Sequence, residues 1–184
     1  MEVTILGRGK SLKKLDKFES DCSDVILVNE FWKSSGNPCD YYKIPEISKF
    51  ITGKDITLVG SPAMGGAGSM TQSIESEHNV KNKFTTVFAP GSGSDRDSYP
   101  MGGWNVFPQE CLEDYKYAHL SGQLKQDDIY PGVWKHGCVR GSLAWAIMLA
   151  VDYYKADKVT IFGQDFYEED YLIPQNYDYE TERK

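Results

Sequence analysis

The apolar and polar positions along the chain follow two kinds of pattern. Short apolar runs that end in polar or glycine residues are typical of buried strands, whereas apolar residues three or four positions apart are typical of helices. The apolar runs predict strands over 3–6, 24–31, 55–62, 84–88 and 158–166. The helical spacing predicts helices that begin near Ser11 and near Ser69, and helices over 44–51, 108–124 and 142–156.

Some of these segments carry more detailed predictions. Leu12 and Leu15 follow the first strand at helical spacing, and Ser11 is a candidate N-cap for that helix. Segment 142–156 is apolar over most of its surface, which predicts a buried helix. The strand that follows it is predicted to be buried as well. A long loop rich in glycine, serine and proline follows the fourth strand, and such loops are often functional or mobile.

Strands that alternate with helices predict an α/β protein, in which a mostly parallel, twisted sheet carries helices on both faces. We expect a single domain over 1–184, with an acidic, aromatic tail at 168–184 that is a candidate for mobility. In parallel sheets, ligands bind beyond the carboxyl ends of the strands. These ends are Gly7–Ser11, Asn29–Phe31, Gly60–Pro62 and Gly163–Tyr167.

Composition and charge narrow the choice of ligand. An apolar content of 40% and an aromatic content of 13% indicate a globular protein. A net charge of -7 argues against nucleic acid, because neutralising its phosphates needs a basic face. The net charge does not exclude a small anionic ligand, since Arg8, Lys10, Lys13 and Lys14 cluster after the first strand. A solvated helix face is the alternative for this cluster.

Cysteine spacing and apolar content bear on metals and location. Four scattered cysteines without a C-x-x-C pair argue against a zinc site. No segment resembles a signal peptide, and no apolar stretch approaches the roughly twenty residues of a membrane span. We therefore expect a cytoplasmic protein with reduced thiols and no membrane span.

The stretch ILGRGKSL, residues 5–12, nearly matches two phosphate-binding motifs. A P-loop would need glycine at position 4, where Thr4 lies inside the predicted strand. The dinucleotide motif G-x-G-x-x-G finds Gly7 and Gly9 but has Leu12 in place of its third glycine. What remains is a helix start after a glycine turn, whose N–H groups and dipole suit an anion. An ordinary tight turn is the alternative.

Two segments together resemble a known family. The stretch VTILGRGKSLKKLDKFESDCSDVILVNEF, residues 3–31, resembles the opening of bacterial sialyltransferases of the Campylobacter type. The stretch RGSLAWAIMLAVDYYKADKVTIFGQDFYEEDY, residues 140–171, resembles their later segment, in the same order along the chain. The middle of the chain, about 62 to 138, has no counterpart.

This resemblance implies a Rossmann-like domain that transfers sialic acid from CMP-sialic acid to a glycan hydroxyl without a metal or other cofactor. It implies that Gly7-Arg8-Gly9 and Ser11 lie against the donor phosphate and that Asn29 binds the nucleotide. Arg140-Gly141-Ser142 would meet the cytidine or the sugar. Tyr167 and Tyr171 look like the tyrosine pair that donates hydrogen bonds to the leaving phosphate.

The chain departs from the family pattern in three places. Arg8 stands where the family usually has asparagine, and arginine can bind a phosphate bidentately. Gly60-Ser61 stands where a second asparagine is expected, which leaves Ser61 as the candidate donor contact. The family's histidine base lies well beyond a D-F-Y motif, which is residues 165–167 here. This chain has no histidine after His136.

Two residues are candidates for the missing base, which must take the proton of the acceptor hydroxyl. His136 lies in the turn before the buried helix, and its alternative is a loop histidine that makes a backbone contact. Asp165 follows the last strand, where a Gly-x-Asp sequence can instead cap a turn. Packing is likewise the alternative for Tyr167.

Three functions follow from these residues. The first is a metal-independent, sialyltransferase-like glycosyltransferase that binds a nucleotide sugar and a glycan acceptor, as a monomer or a homo-oligomer. The second is a non-catalytic module that binds a nucleotide or sugar phosphate. The third is a nicotinamide-dependent oxidoreductase, for which Glu30 nearly supplies the acidic residue expected after the second strand.

Overall fold

The computed structural model describes residues 1–33, 37, 39–60, 71–85, 104–106, 108, 111, 142–165 and 172–173. The strands among them are β1 (Glu2–Leu6), β2 (Asp24–Val28), β3 (Asp55–Gly60), β4 (Val80–Thr85), β5 (Asn105–Val106) and β6 (Lys158–Phe162). All of their pairings are parallel, and their order in the sheet is β5-β4-β3-β2-β1-β6. The predicted parallel sheet is therefore confirmed.

Helical segments connect these strands. The described α-helices are α1 (Pro45–Ile51), α2 (Gln72–Glu77) and α3 (Ser142–Met148). A 3₁₀ helix, Lys10–Lys17, joins β1 to β2, and a shorter one, Tyr41–Lys43, precedes α1. A π-helical turn, Leu149–Tyr153, continues α3 towards β6.

Two apolar layers cover the two faces of the sheet. Because successive side chains of a strand point to opposite faces, Val3 and Ile5 of β1 pack beneath α3, together with Trp145 and Leu149. Residues of the opposite parity pack against the 3₁₀ helix Lys10–Lys17, α1 and α2; they include Leu6, Val25, Leu27, Ile56 and Leu58. The prediction of an α/β, Rossmann-like fold with helices on both faces is confirmed.

Two strands differ from their predicted positions. β4 begins at Val80, before the predicted start at residue 84, and carries Lys81 and Lys83 in its interior. These lysines form ion pairs with Asp55 and Glu75, so a strand without an apolar run can lie next to β3. β6 was predicted to be buried but lies at an edge of the described sheet, which leaves Ile161 38% exposed.

Two strands end earlier than predicted, because the residue that follows each of them has a positive φ angle. Asn29 has a φ of 67°, so β2 ends at Val28 instead of reaching residue 31. Gly163 has a φ of 73°, so β6 ends at Phe162 instead of reaching residue 166. Both conformations turn the chain at the carboxyl edge of the sheet, where the candidate site lies.

The helices agree more closely with prediction, apart from one cap. α1 lies within 44–51 as predicted, and the buried helix predicted over 142–156 is present as α3 and its π turn. The first helix is a 3₁₀ helix with Gly9 as its N-cap, so the prediction that Ser11 caps it is wrong. Most of the helix predicted over 108–124 lies outside the described residues.

The order of strands reverses beside β1. The chain runs from β1 through β2, β3 and β4 to β5 on one side, whereas β6 returns to the other side of β1. Ligands in open parallel sheets bind where such a reversal leaves a crevice at the carboxyl ends. The register pairs Leu6 with Phe162, so the loops that follow β1 and β6 leave the sheet at the same level.

Candidate functional site

The loops after β1 and β6 are joined by backbone hydrogen bonds. Gly7 N–H donates to the carbonyl of Phe162 at 2.7 Å, and Gly9 N–H donates to that of Gly163 at 2.8 Å. A Cβ atom on Gly7 would lie 2.3 Å from the carbonyl oxygen of Gly163, and one on Gly163 would lie 2.3 Å from that of Gly7. Glycine is therefore required on both sides of this contact.

Ser11 and Asp165 bridge the same two loops through their side chains. Asp165 accepts hydrogen bonds from the Ser11 backbone N–H at 3.0 Å and from the Ser11 hydroxyl at 2.5 Å. The Ser11 Oγ atom in turn accepts a hydrogen bond from Gly163 N–H at 2.7 Å. A Cβ on Gly9 would lie 2.3 Å from the Asp165 carboxylate, so glycine at position 9 makes room for this bridge.

The bridge changes how the first turn can meet an anion. The start of a helix favours negative charge through its N–H groups and dipole. Here the carboxylate of Asp165 already accepts the Ser11 N–H, and the N–H groups of Gly7 and Gly9 bond to carbonyls. These three N–H groups are therefore occupied, and the Arg8 side chain remains a predicted phosphate contact of this loop.

Arg8 points towards the carboxyl end of β2. Its Nη1 atom lies 4.0 Å from Oε2 of Glu30, and the two side chains are only 10% and 15% exposed. The positive charge of Arg8 also acts on Cys39: burial and the charge of Asp40 raise the pKa of the Cys39 thiol, while Arg8 lowers it. Arg8 and Glu30 thus form a largely buried charged pair beside the loops.

Asn29 stands at the end of β2 in a left-handed conformation, which asparagine tolerates better than most residues. Its backbone N–H donates to the carbonyl of Val59 at 2.7 Å, which fixes the turn against β3. Within the described part of the chain, the half-buried carboxamide of Asn29 makes no hydrogen bond of its own. That Asn29 binds the nucleotide stays a prediction.

A second stretch of the chain returns to the first loop. Leu172 N–H donates to the carbonyl of Arg8 at 2.8 Å. The Tyr41 hydroxyl accepts a hydrogen bond from Ile173 N–H and donates one to its carbonyl, both at 3.1 Å. Residues 163–165 and residue 172 are therefore both joined by hydrogen bonds to the turn after β1.

Ser142 is the first residue of α3 and is half-buried. The chain that follows the opposite end of this helical segment lies at the amino end of the sheet, because the Asp157 N–H donates to the carbonyl of Met1 at 2.9 Å. Ser142 therefore belongs to the carboxyl side of the sheet, as the ligand-binding prediction requires. The other predicted site residues, Ser61, His136, Arg140, Gly141, Tyr167 and Tyr171, lie outside the described residues and stay predictions.

Sequence reasoning missed several participants. It treated Glu30 only as a nicotinamide ribose contact, whereas the structure pairs it with Arg8. It did not single out Gln164, whose side chain packs against Gly7, or Asn37, which donates to the carbonyl of Glu30 at 2.8 Å. The one available signal was the glycine after β6, because glycine directly after a strand often marks a close backbone approach.

Two features are absent from the described residues. No group of three or more histidine, cysteine, aspartate or glutamate side chains there is arranged to hold a metal ion. None of the helices in the described ranges is long and apolar enough to cross a membrane.

The chain was also compared with known proteins. Comparison with protein-family models, with curated proteins and with solved structures finds no match.

Proposed function

We propose that this chain binds CMP-sialic acid or a related nucleotide sugar at the carboxyl ends of β1, β2 and β6, and transfers the sugar to a glycan hydroxyl. The observation that carries the proposal is the joining of the loops after β1 and β6 at the point where the strand order reverses. Arg8 and Asn29 flank this point, and they offer a cation and a carboxamide to a nucleotide.

Arg8 is the proposed phosphate contact. A guanidinium can bind two phosphate oxygens at once, and such charge-assisted bonds are stronger than neutral ones. Glu30 already faces this guanidinium at 4.0 Å. A bound phosphate would therefore compete with Glu30 for Arg8, so the two carboxylate oxygens of Glu30 act against ligand binding.

Asn29 is the proposed nucleotide contact. A carboxamide carries both a hydrogen-bond acceptor and two donors, which matches the mixed edge of a nucleobase. The Asn29 side chain stands on a turn that is fixed against β3 by its backbone bond to Val59. A side chain on a fixed turn loses little freedom on binding, which supports selective recognition.

The proposed chemistry uses groups of the chain alone. The departing phosphate gains negative charge, which the hydroxyl groups of Tyr167 and Tyr171 would stabilise. Both tyrosines lie between Asp165 and Leu172, the residues that anchor this stretch to the first loop. His136 is the proposed base, because both oxygens of Asp165 already accept hydrogen bonds from Ser11.

One experiment tests the phosphate contact through two changes of opposite sign. Arg8→Gln should weaken CMP binding about 10-fold to 100-fold, since it removes a charged hydrogen-bond partner. Glu30→Gln should strengthen CMP binding, because it removes the competing charge. Isothermal titration calorimetry measures both, and Lys17→Gln, at an exposed position on the 3₁₀ helix outside the basic cluster, is the control with the same loss of charge as Arg8→Gln.

The outcome of this titration decides the proposal. Lys17→Gln should leave CMP affinity close to that of the unchanged protein, because Lys17 is exposed to screening by salt. If the unchanged protein binds neither CMP nor CMP-sialic acid, the proposed function is wrong. If Arg8→Gln and Lys17→Gln weaken binding equally, Arg8 is not the phosphate contact.

The engagement of Asp165 also favours a second candidate, a non-catalytic module for a nucleotide or sugar phosphate. A carboxylate that joins two loops through Ser11 has a structural role. Incubation with CMP-sialic acid separates the candidates, because an enzyme releases CMP and a binding module does not. A titration followed by NADH fluorescence tests the third candidate, the oxidoreductase.

The proposal extends to a cytoplasmic location with reduced thiols. Cys22 and Cys39 are free thiols in the structure, which is compatible with that compartment. Fractionation of cells that express the full chain tests this part directly.

A further inference from the structure

Three buried polar atoms have no role in the site described above. They are Nε1 of Trp32, Nε1 of Trp104 and Oδ1 of Asn37. Two of them belong to tryptophans of the apolar layer that contains α1. The three residues are at most 2% exposed. Among the residues that the structure describes, none provides a hydrogen-bond partner for any of these atoms. Buried polar atoms in folded proteins are nearly always paired, so this group requires an explanation.

The three residues are neighbours in space. The indole rings of Trp32 and Trp104 have centroids 6.0 Å apart and are tilted by 59°. The amide nitrogen of Asn37 donates to the carbonyls of Glu30 and Trp32, both at 2.8 Å. These two bonds fix the carboxamide on its nitrogen side and leave its oxygen as an acceptor.

Trp32, Trp104 and Asn37, called the Trp–Asn cluster below, lie beside Arg8, the proposed phosphate contact. Trp32 follows β2 by four residues, and Trp104 directly precedes β5, whose Asn105 pairs with Phe84 near the carboxyl end of β4. The carbonyl that anchors Asn37 belongs to Glu30, and the carboxylate of Glu30 faces Arg8. A ligand that binds Arg8 through its phosphate could therefore reach the Trp–Asn cluster with another of its own polar groups.

The chemistry of the three atoms selects a particular group. Two indole N–H donors and one amide oxygen acceptor complement a hydroxyl, which accepts two hydrogen bonds and donates one. None of the three is charged, and a charged ligand group would be costly to bury among them.

We propose that Trp32, Trp104 and Asn37 bind a sugar hydroxyl of the ligand, which makes them the sugar-recognition part of the site. The inference rests on the proposed function, because the ligand is taken to be a nucleotide sugar. The hydroxyl belongs either to the ribose or to the transferred sugar, and the same recognition chemistry serves both.

The first test follows the indole N–H groups directly. The chain has four tryptophans, so a ¹⁵N-labelled protein gives few indole N–H signals to assign by NMR. CMP, 2′-deoxy-CMP, CMP-sialic acid and free N-acetylneuraminic acid are the four probes. The indole protons of Trp32 and Trp104 should move downfield on binding, while that of Trp145, on the other face of the sheet, should stay in place.

The pattern among the probes identifies the hydroxyl. A shift with CMP that is lost with 2′-deoxy-CMP assigns the ribose. A shift with CMP-sialic acid or the free sugar, without one for CMP, assigns the transferred sugar. If none of the four probes moves either indole signal, the inference is overturned.

The second test removes the N–H groups and keeps most of each ring. Trp32→Phe and Trp104→Phe should each weaken binding of whichever probe shifts the indole signals. The expected loss is about threefold to tenfold, as for one hydrogen bond. Trp145→Phe, which makes the same change in the other buried layer, is the control and should leave affinity unchanged. Thermal unfolding of each variant checks that it is folded.

The two proposals fail in different ways. Full affinity for CMP-sialic acid in both Trp32→Phe and Trp104→Phe overturns this inference and leaves the proposed function standing. Absence of nucleotide binding by the unchanged protein overturns the proposed function, and the response of the indole signals to free N-acetylneuraminic acid then decides this inference.

Discussion

At the residue scale, glycine sets how closely the loops after β1 and β6 approach. Gly7 and Gly163 each lie where a Cβ atom would meet the carbonyl oxygen of the other. Gly9 leaves space for the carboxylate of Asp165. Gly7 and Gly9, which nearly match a phosphate-binding motif, therefore allow the two loops to make contact. This contact accounts for both glycines whether or not a phosphate binds.

A paired substitution separates this contact from backbone conformation. Gly163→Ala should lower the free energy of unfolding by more than Gly53→Ala, because both positions have positive φ but only Gly163 is crowded. We expect about 1–2 kcal/mol from the left-handed conformation at either position. Crowding at Gly163 should add to that loss, and urea unfolding of both variants measures it. Equal losses would contradict the close approach.

At His78, we expect the stability of the folded protein to depend on pH. Burial lowers the pKa of His78, and the charge of Glu77 only partly opposes this. The unfolded chain therefore takes up a proton at this position before the folded protein does, so stability should fall as pH drops below about 6.5. NMR titration of the imidazole should give a pKa below 6.5, and His78→Gln should flatten the pH dependence of unfolding between pH 7 and 5. A pKa at or above 6.5 would contradict this.

At the element scale, the stretch that ends at Ile173 is held by one buried side chain. Tyr41 is fully buried, and its hydroxyl makes two hydrogen bonds to the backbone of Ile173. The proposed tyrosine pair belongs to this stretch, so its anchoring matters for the proposed chemistry. The 3₁₀ helix Tyr41–Lys43 thus connects the second strand's loop to the returning chain.

Removing that hydroxyl should loosen the stretch without disturbing the core. Tyr41→Phe should cost about 1 kcal/mol per lost hydrogen bond and should speed hydrogen exchange at the Ile173 amide. Tyr42→Phe is the matched control, because Tyr42 is equally buried but its hydroxyl contacts Glu77. Equal exchange rates at Ile173 in both variants would show that Tyr41 does not hold this stretch.

At the scale of the whole molecule, the order of the described strands makes β1 an interior strand and leaves β6 at the edge of the described sheet. Ile5 and Ile161 are register partners on the same face, yet Ile5 is fully buried and Ile161 is 38% exposed. Ile5→Ala should therefore cost about 2–5 kcal/mol, the usual range for a buried site. Ile161→Ala should cost clearly less. Chemical denaturation measures both, and equal costs would mean that another element covers β6.

Sequence patterns could predict the layers of this fold but not the contacts between its ends. Apolar runs and helical spacing depend on neighbouring residues, and they located β1, β3, α1 and α3. They misplaced the start of β4, because Lys81 and Lys83 are accommodated by partners elsewhere in the chain. They could not show that β6 lies at the edge of the described sheet, because strand order is a property of the whole sheet.

The candidate site was predictable to a similar degree. The rule that ligands bind at carboxyl ends of strands, together with the family resemblance, led to Gly7–Ser11, Asn29 and Asp165. The Ser11–Asp165 bridge spans 154 positions, so no local pattern contains it. The meeting of Arg8 with Glu30 likewise depends on how two strand ends lie side by side.

The Ser11–Asp165 bridge also has a consequence for inheritance. A side chain at position 9 would collide with the carboxylate of Asp165, so these two positions cannot change independently. Descendants of this sequence that keep the aspartate should keep the glycine, whereas in those that lose the aspartate the remaining restraint at position 9 is the carbonyl of Gly163, which lies 3.0 Å from a Cβ there. Deep mutational scanning of paired libraries would reveal this as epistasis between the first ten residues and the last twenty.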